Sequence, residues 1–120
     1  MNIEELREYC ITKPFVEETF PFDEETLVFK VMGKAFLLTG INYRPLRFNV
    51  KCDPEKAIEL REQYSFVLPG YHMNKKHWNT IMCEEAGNKK LLKQWIDHSY
   101  QLVVESLPKK LQAEFSKLKP

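Results

Sequence analysis

Between Pro69 and Asn79 the chain reads PGYHMNKKHWN, the densest gathering of chemically capable side chains in the sequence. These eleven residues include two His, two Lys, two Asn, a Tyr and a Trp, a mixture of cations, hydrogen-bond donors and aromatic faces that neither strand pairing nor core packing requires. Such a set suits a phosphate-bearing polymer. Lys75 and Lys76 would neutralise phosphates, Tyr71, His72, Asn74 and His77 would supply hydrogen bonds, and Trp78 or Tyr71 would stack on an exposed base. Lys30, Lys34, Arg44 and Arg47 would extend the contact. A structural account stands beside this one: Trp78 and Met73 fill the core, Tyr71 and His72 satisfy nearby backbone groups, and the two lysines are simply solvated.

Other chemistries find less support. His72 and His77 lack the HExxH arrangement and have no third ligand near them in sequence, and His98 can join them only through the fold, so no metal site and no cofactor are expected. There is no GxSxG elbow, phosphate-binding glycine loop or paired-carboxylate pattern, and Cys83 with His77 is too common a coincidence to define a dyad. The expectation is a binding protein, not an enzyme. Cys10, Cys52 and Cys83 are odd in number and far apart, which argues for buried free thiols over a disulfide framework.

A chain of 120 residues fits one domain, 1–120, large enough for a real core. Its 43% hydrophobic and 29% charged residues describe a globular chain and argue against disorder. No apolar run is long enough to cross a bilayer, and MNIEELREYC carries acids where a signal peptide would be basic and apolar, so a cytoplasmic monomer is expected. The net charge of +1 hides an asymmetry. Residues 1–26 hold two bases against eight acids, a net −6, and the rest hold 16 bases against 9 acids, a net +7. Folding either mixes these charges or sets an acidic face against a basic one that attracts phosphates.

The elements that position these residues are legible in their punctuation. Asn2 caps a first helix with Ile3, Leu6 and Cys10 on its buried stripe, and Pro14 limits it. FVEETFPFDEETL reads as a connector anchored to the core by Phe15, Phe20 and Phe22, with an aromatic ligand pocket there as the lesser alternative. Leu27–Thr39 forms two strands around a hairpin turn at Met32-Gly33, and after GINYRP a third strand runs from Leu46 to Cys52. In that strand Leu46, Phe48, Val50 and Cys52 face one side, and Arg47, Asn49 and Lys51 the other. Asp53-Pro54 starts a second helix reaching about Gln63, with Asp53 as its cap and Ala57, Leu60 and Tyr64 inward. Short strands near Phe66–Leu68 and Trp78–Cys83 bracket the focal stretch. After Gly87-Asn88 comes the strongest helix, with Leu91, Leu92, Trp95, Ile96, Ser99, Leu102 and Val103 on one face; a short helix with Leu111, Phe115 and Leu118 ends the chain. The order α-βββ-α-ββ-α, with the terminal helix, predicts an α+β two-layer sandwich of an antiparallel sheet and helices.

Three stretches resemble one family. YHMNKKHWNT from Tyr71 to Thr80, LVFKVMGKAF from Leu27 to Phe36, and IDHSYQLVVESLPKK from Ile96 to Lys110 are similar to the MmcQ/YjbR-like proteins, over nearly the whole domain. The resemblance implies an α/β sandwich related to frataxin-like and type III secretion-chaperone-like folds. It further implies a double-wing DNA-binding role, with the family signature on Tyr71, His72, Met73, Asn74, Lys75, Lys76, His77 and Trp78 and the wings at the turns near Met32-Gly33 and Gly40–Pro45. The alternative is a protein-binding adaptor, suggested by the chaperone likeness, the acidic N-terminal part and exposed aromatics.

Overall fold

The computed structural model describes residues 1–118. Helix α1 (Ile3–Ile11) leads into β1 (Val16–Thr19), β2 (Thr26–Val31), β3 (Lys34–Gly40) and β4 (Arg47–Lys51). Helix α2 (Pro54–Gln63), β5 (Val67–Pro69), β6 (Trp78–Met82), and helices α3 (Cys83–Ala86), α4 (Lys89–Glu105) and α5 (Lys109–Leu118) complete the chain. The six strands form one sheet in the order β1-β2-β3-β4-β6-β5 with every neighbouring pair antiparallel. This is the α+β two-layer architecture expected. Among the described residues no helix is long and apolar enough to cross a membrane.

Period-two alternation decides which face the helices cover. Leu27 and Phe29 on β2, Phe48 and Val50 on β4 and Ile81 on β6 join Leu6 and Cys10 of α1, Ala57 and Leu60 of α2 and the Leu92–Trp95–Ile96 stripe of α4 in one core. Ser99 sets α4 over the seam between β3 and β4: its Oγ donates to the Phe36 carbonyl at 2.6 Å and accepts the Lys51 amide at 2.8 Å. Tyr64, Phe66 and Trp95 close the α2 end with ring centroids 5.1–6.0 Å apart. The tight β2–β3 turn rests on Met32 and Gly33, both at positive φ (50° and 84°), the geometry of a two-residue hairpin.

The connector after α1 differs from expectation. Four of its residues form β1, paired to β2 from Val16↔Val31 to Thr19↔Val28, so the sheet has six strands and not five. Backbone pairing with β2 outweighs the poor strand propensity of Glu17 and Glu18, and Arg7 of α1 holds Glu18 through two bonds of 2.6 and 2.8 Å. Phe20 and Phe22 are not core anchors: they are 46% and 73% exposed. The cause is the bend after β1, where Asp23 accepts from the Glu25 and Thr26 amides and the chain crosses to β2 away from the helices. Phe15 is only partly covered, edge-on to Phe115 at 5.4 Å. At α2, Pro54 occupies the first turn, but the Asp53 side chain makes no capping bond. Asn2 does cap α1, accepting from the Glu5 amide at 2.9 Å.

Candidate functional site

On the other side of the sheet, facing away from the core cluster, is a groove of about 450 Å³ to which no helix contributes a lining residue. Val28 and Leu38, paired across β2 and β3, give it an apolar floor that continues into Asn49 of β4 and Thr80 of β6. Pro21 and Phe22, from the bend after β1, form one wall. Tyr71, His72 and Met73, from the loop between β5 and β6, form the opposite wall, and Tyr43 joins from the loop after β3.

The 70–77 loop carries most of the focal stretch, and its shape is set by bonds to its own backbone and to the sheet. The Gly70 amide donates to the Trp78 carbonyl at 2.9 Å, and the Asn74 carbonyl accepts from the His77 and Trp78 amides. Asn74 Oδ1 accepts the Lys76 amide at 2.9 Å, and Lys75 Nζ donates back to the Gly70 carbonyl at 3.1 Å. Arg61 of α2 donates to the Lys75 carbonyl at 2.6 Å. On the groove side Asn49 and Thr80 act as a clamp. Thr80 Oγ1 accepts the Tyr71 amide at 2.9 Å and donates to Asn49 Oδ1, while Asn49 Nδ2 donates to the Tyr71 carbonyl at 3.1 Å. The Tyr71 backbone is thereby fixed beside the floor, and its half-exposed ring has His72 (φ 58°) against it at 4.0 Å between ring centroids.

Arg47 is the chemical centre of this arrangement. Its guanidinium carbon lies 4.0 Å from the Tyr43 ring centroid and 5.8 Å from that of Tyr71. The three ion pairs among the described residues, Arg7–Glu18, Lys13–Asp97 and Lys89–Glu5, all lie elsewhere, so part of the N-terminal acidity is neutralised at α1 and β1 while Arg47 keeps no carboxylate partner. The sixteen lining residues include Lys30, Arg47 and His72 and no Asp or Glu.

Of the residues singled out in the sequence, Lys30, Arg47, Tyr71 and His72 converge on the groove. Asn74 and Lys75 are turned to loop bonds, Lys76 stands exposed at the loop tip, and His77 is half-buried with its carbonyl accepting the Cys52 amide at 2.7 Å. Trp78 is half-buried on the groove side of β6, opposite Lys51. Lys34 sits at the β2–β3 turn, and Arg44 spends its guanidinium on the Ile41 and Tyr43 carbonyls. Sequence reasoning missed Tyr43 and assigned Phe22 to the core. The alternation of Arg47, Asn49 and Lys51 was the available signal that this face carries something.

No group of three His, Cys, Asp or Glu among the described residues could hold a metal ion. The cysteines are free and buried; burial pushes the Cys10 and Cys83 thiols up to about 12 and Cys52 to about 11, so none carries useful thiolate at neutral pH. The family model described as YjbR matches residues 11–102, which includes every groove residue. The chain belongs to the YjbR family. Among YjbR-family relatives, the uncharacterised protein YbdF of Escherichia coli O157:H7 is 40% identical over 91% of this chain and 89% of its own length. The uncharacterised protein YjbR of E. coli K12 is 35% identical over 90% of this chain and 92% of its own. The crystal structure of Deinococcus radiodurans DR2400, with a DUF419 domain, superimposes with a TM-score of 0.88 at 40% identity, covering 96% of this chain and 88% of that one. A Pseudomonas syringae protein superimposes with a TM-score of 0.72 at 27% identity, over 85% of this chain and 98% of its own. The YjbR fold therefore extends across nearly the full chain.

Proposed function

We propose that this protein is a noncatalytic DNA-binding protein, a cytoplasmic monomer that engages its ligand on the helix-free face of the sheet. One observation carries the reading: the half-buried Arg47 is held between tyrosine rings without a carboxylate, in a groove whose lining contains no acid. A guanidinium oriented in this way has its charge-assisted hydrogen bonds still to make, and phosphate matches its planar fork. Lys30 and Lys51 on the same face and Lys76 at the loop tip add cations, whereas Glu17, opposite Lys30 on β1, and the Asp23–Glu25 run weaken the attraction on the β1 side. The favoured backbone path therefore leaves the groove over β4 and β6.

The adaptor reading draws support from a separate observation, the exposed Phe20 and Phe22 either side of Pro21, with Phe22 lining the groove, which suit an apolar anchor on a protein partner. A salt titration of labelled single- and double-stranded DNA separates the two. Saturable binding that weakens with salt, and is reduced in a folded Lys30→Gln/Arg47→Gln variant, supports DNA. No binding at low salt overturns it in favour of the adaptor.

A further inference from the structure

We infer that the groove is a receptor for one unpaired base of single-stranded DNA, with its flanking phosphates held at the two ends by Lys30 and Arg47; this rests on the DNA reading above. The strand register supplies the first argument. Leu38 pairs with Val28 on one side and Asn49 on the other, and β2 and β4 run in the same direction. Lys30 lies two residues beyond Val28, and Arg47 two residues before Asn49, so the cations sit at opposite ends of the Val28–Leu38–Asn49 row. At roughly 3.3 Å per residue along the strands and about 4.8 Å per strand across them, these positions are offset by about 13 Å along the strands and about 10 Å across.

The walls supply the second argument. Phe22 and Tyr71 are large rings, 73% and 56% exposed, and they come from separate loops to line the same groove. Exposed rings lining one groove with an apolar floor suit a flat apolar body, and each base offers such a face. The Asn49–Thr80 clamp spends its polar groups on the Tyr71 backbone, so the floor has little left with which to read base edges. The expected recognition is stacking with weak base preference. In a duplex the base faces are already stacked and cannot enter the groove, so single strands are preferred.

The test measures anisotropy of labelled oligo(dT), an abasic oligodeoxyribose phosphate of equal charge, and a duplex of equal length, with the wild-type protein and with Tyr71→Ala. Tyr71 is an exposed loop residue, and circular dichroism and thermal unfolding verify that the variant folds. The expected result is oligo(dT) binding about tenfold tighter than the abasic strand, a gap that closes in Tyr71→Ala. Equal affinity of wild-type protein for oligo(dT) and the abasic strand, or a duplex bound as tightly as oligo(dT), overturns the base receptor while leaving DNA binding standing. Failure of all three ligands at low salt overturns both.

Discussion

The Arg47 guanidinium lies over the Tyr43 ring at 4.0 Å, and among the described residues it has no carboxylate partner. The pair makes Arg47 a guanidinium group positioned before any ligand arrives. Arg47→Lys should keep the charge and lose the planar fork and much of the stacking, so DNA affinity is expected to fall by more than the salt slope does. Arg47→Gln should lower both, the slope by about one. Equal behaviour of the two variants would reduce Arg47 to a simple point charge.

Gly40 tests how far this depends on Tyr43. A Cβ added at Gly40 would meet the Tyr43 ring at 2.7 Å, so Gly40→Ala must push the ring aside. The expected outcome is a loss of about 1–3 kcal/mol of stability, from overpacking. Shifted NMR resonances of the Arg47 side chain should accompany it, with weaker DNA binding. Unchanged Arg47 resonances would mean that the ring yields without disturbing the cation.

Thr80→Val removes the hydroxyl that joins the Tyr71 amide to Asn49 while keeping the branched shape. Chemical denaturation should show a loss of about 1–3 kcal/mol, the cost of leaving buried polar groups unpaired. Hydrogen exchange at the Tyr71 amide should quicken well beyond the change in global stability, because the loop is freed locally.

Lys75 and Lys76 are adjacent but differ in what they already do. Lys75 Nζ is bonded to the Gly70 carbonyl, whereas Lys76 is free to reach a phosphate. Lys76→Ala should reduce the salt slope of DNA binding by about one and leave thermal stability nearly unchanged. Lys75→Ala should chiefly lower the melting temperature.

His98 predicts the pH response. Burial lowers its pKa from 6.5, Lys56 adds to the effect, and Asp53 and Glu105 oppose it. With the folded value below the unfolded one, the unfolded chain takes up the proton first as pH falls. This stabilising contribution is complete above the unfolded value and is lost as pH drops through the folded value. Urea midpoints from about pH 8 to about pH 5 should decline less steeply in His98→Gln than in the wild type. Parallel curves would remove His98 as the cause.

The fold was legible where local signals agreed with tertiary demand. Met32-Gly33, the alternation from Leu46 to Cys52 and the broad apolar face of α4 each carry a period or a turn residue that survives without context. β1 was not, because Val16–Thr19 is made a strand by pairing to β2 rather than by its own residues. The groove was half legible. Arg47 and Tyr71 are conspicuous residue types, but Phe22 reads as core in any one-dimensional account, since nothing in FPFDEET announces that the bend turns its ring away from the helices. Tyr43 matters only through its distance to Arg47, and distance across a sheet is not written along the chain.

The two outermost strands have a bearing on how partners and copies can approach. β1 has four residues with carboxylates at Glu17 and Glu18, and β5 has three and closes on Pro69, which has no amide hydrogen to give. Both margins are thus poor templates for an added strand. A peptide recruited to this domain gains little from extending the sheet and must win its affinity from side chains on the broad face. In a crowded cell the same two short margins guard against edge-to-edge aggregation while leaving that face uncovered.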